Sequence, residues 1–124
     1  MKPVQITDGN GVTHCYVNDV EKMTFHGEIS GERDVMFFVS GEITEDTVLN
    51  FVNELNMFID GGARLTLDLS KLEYINSRAQ GELADMQQRV ETNGKGGSFR
   101  IINVPKAIMD RFDASGYSDY LDIQ

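Results

Sequence analysis

The chain has 124 residues, 40% of them apolar, and a formal net charge of −9, which fits one acidic domain with a real core. Because no cluster of Lys and Arg is present, nucleic acid and anionic membranes are excluded as main partners, since both bind basic surfaces. Cys15, the only cysteine, excludes an intrachain disulfide, and the absence of signal-peptide and transmembrane patterns predicts a cytoplasmic protein.

Residues 1–33 contain two strand-like segments, Val12 to Val17 and Met23 to Ile29, separated by the turn residues Asn18-Asp19. We therefore expect a strand or hairpin extension over residues 1–33, followed by the main domain over residues 34–124. Two roles are open for the extension, an added hairpin or a contact in a homodimer.

From Val35 onward, strand and helix patterns alternate along the chain. The continuous apolar run 35–39 predicts a strand covered on both faces. Thr44 suits an N-cap, and Glu45 and Asp46 suit the first turn of a helix. The helix itself is predicted by apolar residues at helical spacing, with two glycines as its end: Val48, Phe51, Val52, Leu55, Phe58, Ile59, Gly61 and Gly62.

The second half of the chain repeats this alternation. The expected elements are a strand over residues 65–69, a helix over residues 77–92, a strand over residues 99–104, a helix from Pro105 to Gly116 and a strand over residues 120–123. This order predicts an α/β fold with a mixed central sheet, mostly parallel, helices packed on it and the N-terminal hairpin at one side.

Asn76-Ser77 supplies the start of the helix over residues 77–92, and two local arrangements are open. Ser77 can cap the helix with Gln80 reaching back, as in a capping box. Alternatively, Asn76 is the cap, and the Ser77 hydroxyl in the first turn is then free. In either case the serine lies where backbone N–H groups and the helix dipole favour negative charge, including phosphate.

No pattern of catalytic or metal-binding residues emerges. His14 and Cys15 are adjacent, but neither an orienting group nor a second spaced ligand accompanies them, and His26 stands alone. Asp68 has no evident carboxylate partner, and the glycine-rich residues 94–97 lack the spacing of a phosphate-binding loop. We therefore expect no enzymatic activity, no metal and no cofactor.

Several short segments, in their order and spacing, resemble the STAS domain, the module of anti-sigma-factor antagonists and of sulfate-transporter tails. These segments are Gly41-Glu42-Ile43, residues 67–75, Asn93-Gly94, residues 101–105 and residues 112–117. The family signature Asp-Ser-Ser/Thr-Gly falls on Asn76-Ser77-Arg78-Ala79, so three of its four positions are atypical. Its first serine, which is phosphorylated in the regulatory members, corresponds to Ser77.

The resemblance implies a non-enzymatic module of signal transduction and transcription regulation, a phosphoprotein that binds an anti-sigma factor or a serine-kinase-like protein. A phosphatase would reset the modified serine. The implied partner surface comprises the helix start and the neighbouring Gly41–Thr44 loop, with Gly41, Glu42, Thr44, Asn76, Ser77 and Arg78. Arg78 either clamps a phosphate or is a solvated side chain that pairs with an acid such as Glu73. The alternative function is an unphosphorylated scaffold or small-ligand module of a sensory or transport assembly.

Overall fold

Residues 2–124, which the computed structural model describes, form a six-stranded mixed sheet and three α-helices. The strands follow one another across the sheet in chain order. Their bounds are Val4–Thr7 (β1), Thr13–Val17 (β2), Val20–Ser30 (β3), Asp34–Ile43 (β4), Arg64–Ile75 (β5) and Ser98–Ile102 (β6). The helices are Val48–Asp60 (α1), Ser77–Thr92 (α2) and Lys106–Ser115 (α3), and a short 3-10 helix covers Tyr117–Tyr120.

The first four strands form an antiparallel meander. Its tightest turn joins β2 to β3 through Asn18 and Asp19, whose φ angles are 51° and 65°. A two-residue turn with both φ values positive matches the twist of the flanking strands, and Asn and Asp are the non-glycine residues that tolerate it best. The turn predicted at these two residues is confirmed.

The remaining strands continue the sheet in parallel, with α1 between β4 and β5 and α2 between β5 and β6. The predicted mixed α/β sheet is confirmed. Three of its five strand pairings are antiparallel and two are parallel, so the expectation that most of the sheet is parallel was wrong. The reason is that the N-terminal region contributes a third strand, β1, which the sequence patterns missed.

Two other elements differ from the expectation. β5 covers Arg64–Ile75 and so runs well past the predicted strand over residues 65–69, with register shifts in its pairing to β4. The predicted final strand over residues 120–123 is a single parallel bridge between Ile101 and Ile123, preceded by the 3-10 helix.

The core lies between the sheet and the helices. Phe37 on β4 is fully buried, and its ring centroid is 5.5 Å from that of Phe25, 6.4 Å from that of Phe51 and 6.1 Å from that of Phe58. Because Phe51 and Phe58 belong to α1, these contacts fix the helix on the Phe37 face of the sheet. Within residues 2–124, no helix combines the length and apolarity needed to cross a bilayer.

Candidate functional site

The candidate site lies where β4 and β5 end side by side. Ile43 and Ile75, the last residues of these parallel strands, are register partners. The backbone N–H of Asn76 then donates to the carbonyl oxygen of Ile43 at 3.0 Å. This pairing places the turn after β4 directly beside the N-terminus of α2.

Asn76 is the N-cap of α2. Its backbone is extended (φ −80°, ψ 169°), and its Oδ1 accepts a hydrogen bond from the N–H of Ala79 at 2.9 Å. Of the two arrangements open from the sequence, the structure therefore has the asparagine cap, and the capping box between Ser77 and Gln80 does not form. Gln80 is buried instead, where its Oε1 accepts a hydrogen bond from the Ser115 hydroxyl at 2.6 Å and ties α2 to α3.

Ser77 and Arg78 occupy the first turn of α2 with exposed side chains. Within the described part of the chain, neither side chain has a hydrogen-bond partner, and Arg78 forms no ion pair with Glu73. The N–H groups of a first helical turn have no partner within the helix, so this end attracts negative charge. The Ser77 hydroxyl is thus accessible at a locally positive helix end.

The turn before α1 differs from the expectation. The helix begins at Val48, and Thr47 rather than Thr44 precedes it, so Glu45 and Asp46 lie in the connecting turn and not in the first helical turn. Thr47 is fully buried, and its Oγ1 donates to the carbonyl oxygen of Glu42 at 2.9 Å and accepts from the N–H of Thr44 at 3.0 Å. These bonds fold the turn back on the end of β4.

Glu45 joins this turn to α2. Its Oε1 accepts a hydrogen bond from Nδ2 of Asn76 at 3.2 Å, across 31 residues of sequence. In the sequence, Glu45 was expected only as an acidic residue in the first turn of α1, and no local pattern predicts its contact with Asn76. The turn before α1 and the start of α2 are therefore joined by a hydrogen bond between one side chain of each segment.

Gly41, Glu42 and Ile43 belong to β4 and not to a loop, so the expected Gly41–Thr44 loop is wrong for all but Thr44. Gly41 has a φ of +89°, and a Cβ atom built there would lie 2.3 Å from the carbonyl oxygen of Lys22 on β3. Only glycine allows this approach without strain. Glu42 is about half exposed and lies 4.0 Å from the Lys22 ammonium.

A shallow depression of about 430 Å³ marks where these elements meet, and the residues that line it are Glu42, Thr44, Glu45, Asp46, Tyr74 and Asn76. Three of the six sequence-predicted site residues are in this lining. Ser77 and Arg78 follow Asn76 on the adjoining helix turn, whereas Gly41 faces the β3 backbone.

A cationic side chain that was not predicted, Arg111, lies beside the depression. The guanidinium carbon of Arg111, on α3, lies 4.2 Å from the ring centroid of Tyr74. Such cation–π contacts hold a guanidinium on an aromatic face while its N–H donors still face solvent. No periodic pattern in either segment could have paired these two residues.

Cys15 and Asp68, two of the residues considered for catalysis, lie in surroundings that give them a structural role. Burial raises the pKa of the Cys15 thiol to about 11, which suppresses the nucleophilic thiolate. Burial also raises the pKa of Asp68, but hydrogen bonds from the Ser70 N–H and the Asn103 amide outweigh it, so this pKa lies below its usual value. In residues 2–124, no three His, Cys, Asp or Glu side chains are grouped as metal ligands.

Comparison with known proteins identifies relatives of this fold. The STAS domain family model matches residues 23–124. An anti-sigma factor antagonist from Mycobacterium paratuberculosis superposes with a TM-score of 0.68 at 21% identity, over 82% of this chain and 85% of that chain. The unphosphorylated anti-sigma factor antagonist SpoIIAA gives a TM-score of 0.65 at 17% identity, over 81% and 87% of the two chains.

A third relative is the Bacillus cell fate determinant SpoIIAA in its phosphorylated form, with a TM-score of 0.60 at 17% identity over 81% of this chain and 90% of that chain. None of the curated proteins compared with the chain matches it. At these identities the structural likeness concerns the fold, and the predicted STAS-like architecture is confirmed.

Proposed function

The chain belongs to the STAS domain family, and we propose that it is a non-enzymatic regulatory protein that binds a partner through the N-terminal end of α2. The structural relatives include proteins described as anti-sigma factor antagonists. By analogy, the proposed partner is an anti-sigma factor or a serine-kinase-like protein, in a pathway that regulates transcription.

One observation carries this proposal. Asn76 satisfies the N–H of Ala79, so the exposed hydroxyl of Ser77 is not needed to cap α2. A serine with this freedom can contact a partner or accept a phosphoryl group without loss of the helix start. The depression formed by the turn before α1 lies beside it and extends the proposed surface to Glu42 and Thr44.

Phosphorylation of Ser77 would act as a binding switch. The phosphate adds about −1.5 to −2 charges at neutral pH. At a helix N-terminus this charge gains about 0.3–1 kcal/mol from the helix dipole, so the domain tolerates it. A partner surface complementary to a neutral serine instead meets charge repulsion and an uncompensated desolvation cost. The folded state is preserved while the complex dissociates, and a phosphatase restores binding.

The test is incubation of the chain with ATP and a serine-kinase-like protein from the same organism, sought first among the products of neighbouring genes, followed by intact-mass measurement. We expect one added phosphate, mapped to Ser77 by peptide fragmentation, and none on the Ser77→Ala variant. A chain that gains no phosphate, or gains it at another residue, would remove the proposed switch.

A second function is favoured by the atypical signature. Arg78 and Ala79 stand where the family signature has a hydroxyl residue and a glycine, and the buried side chain of Asn76 makes one hydrogen bond through its oxygen and one through its nitrogen. These features suit an unphosphorylated scaffold or small-ligand module of a sensory or transport assembly. In that case the Ser77→Ala and Ser77→Asp variants bind the partner equally well.

A further inference from the structure

The side-chain amide of Asn76 makes one hydrogen bond through its oxygen and another through its nitrogen. Its Oδ1 accepts from the Ala79 N–H at 2.9 Å, and a backbone N–H can only donate, so the orientation of the amide is determined. The NH₂ group must then point away from the helix, and it donates to the Glu45 carboxylate at 3.2 Å. Asn76 is only 8% exposed, whereas Glu45 is exposed, so this second hydrogen bond joins a buried amide to a carboxylate at the surface.

We propose that Glu45 is a positioning residue, which through Asn76 holds the Thr44–Thr47 turn and the start of α2 together as one preformed surface. The role of this bridge in partner binding rests on the function proposed above. The existence of the bridge does not, because it is a property of the free chain.

The chemistry of the pair is specific to these two residues. An aspartate at position 76 would accept the Ala79 N–H equally well, but it has no donor for Glu45 and would oppose one carboxylate with another. A glutamine at position 45 would keep an oxygen that accepts from Asn76. The double variant E45Q/N76D would restore the bond with donor and acceptor exchanged and the total charge unchanged.

The rest of the turn explains why this bridge matters. Thr47 fixes the end of the turn that leads into α1, through its bonds to the Glu42 carbonyl and the Thr44 N–H. The exposed middle, where Glu45 lies, reaches α2 through its hydrogen bond to Asn76. Loss of that bond leaves both segments folded, and the backbone bond from Asn76 to Ile43 still holds the end of β4 beside α2. Only the exposed middle of the turn is then free to move, which is the effect expected of a positioning residue and not of a core residue.

Hydrogen exchange in the free chain tests the bridge through four variants. We expect Asn76→Asp and Glu45→Ala to accelerate exchange of the hydrogen-bonded amides of the turn, those of Thr44, Asp46 and Thr47, by about tenfold, as for loss of a hydrogen bond to a charged group. Glu45→Gln should stay near the wild type, and E45Q/N76D should restore protection. The Ala79 amide should remain protected in all four variants, because each retains a capping oxygen at position 76.

Two results would overturn the bridge: unchanged exchange in Asn76→Asp and Glu45→Ala, or no restoration in E45Q/N76D. Its effect on binding is read from the rate of Ser77 phosphorylation by the serine-kinase-like protein and ATP. That rate should fall about tenfold in Glu45→Ala and recover in E45Q/N76D; an unchanged rate in Glu45→Ala would refute the positioning role. A wild-type chain that is never phosphorylated removes the proposed switch at Ser77, while the exchange data still decide on the bridge.

Discussion

Gly41 in β4 is the position where addition of one methyl group should damage the fold most. Its φ of +89° is a backbone conformation that costs an L-residue about 1–2 kcal/mol. The added Cβ would also lie 2.3 Å from the carbonyl oxygen of Lys22, and the accommodation of an extra atom in a packed site typically costs about 1–3 kcal/mol. We therefore expect Gly41→Ala to lower the free energy of unfolding by about 2–5 kcal/mol, from a total of about 5–15 kcal/mol for an ordinary domain.

Urea denaturation followed by circular dichroism measures this loss, and Gly116→Ala is the matched control. Gly116 has a similar φ of +82°, but a Cβ there meets no atom within 4 Å, so only the backbone cost of about 1–2 kcal/mol applies. If Gly41→Ala is no more destabilising than Gly116→Ala, the close approach to β3 is refuted. The expected difference would assign Gly41 to folding of the site and not to partner contact.

Three further predictions concern the hairpin and the core. Hydrogen bonds to Asp8 and Glu21 raise the pKa of His14, and the bond from His14 lowers the pKa of Asp8. Hydrogen exchange, corrected for intrinsic rates, should therefore show the strongest protection of β1 between pH 3.8 and pH 6.5, the ordinary pKa values of Asp and His. The stability that His14 contributes is lost as pH rises through its folded pKa, and the stability that Asp8 contributes is lost as pH falls through its folded pKa. A His14→Gln variant that still loses protection at high pH would contradict this prediction. Cys15 should react with a disulfide reagent only after denaturant is added, since its thiol is buried, and fast labelling of the native chain would disprove that burial. Thr47→Val should cost about 1–3 kcal/mol in urea denaturation because it leaves the part-buried Glu42 carbonyl and Thr44 N–H without this partner, whereas Thr47→Ser should cost less.

Helices were predicted from the sequence more accurately than strands. α2 covers Ser77–Thr92 as expected, because its buried residues Ala79, Leu83, Met86 and Val90 repeat at helical spacing. β1 was missed although its four residues alternate between apolar and polar, because so short a segment does not distinguish a strand from a loop, and all four side chains are exposed in the structure. The segment expected as a final strand makes one bridge at Ile123, since a short run of alternating residues does not determine its pairing.

The candidate site was predicted in position but not in its contacts. Helix-start chemistry correctly placed Ser77 at the N-terminus of α2, because capping is encoded locally. Thr44 was predicted to start α1, whereas the helix begins after Thr47, whose hydroxyl bonds to the carbonyl of Glu42 at the end of β4. The bridge from Glu45 to Asn76 depends on the folded sheet, so no local pattern reports it.

The binding affinity of the proposed serine-kinase-like partner for the chain with and without phosphate on Ser77 tests the central claim most directly. Urea denaturation first shows that the unmodified and phosphorylated chains differ in free energy of unfolding by no more than about 1 kcal/mol, the scale of the helix-dipole interaction. We expect phosphorylation to weaken binding at least about tenfold, with Ser77→Ala near the unmodified chain. Equal affinity of the two forms would contradict a switch at this helix end.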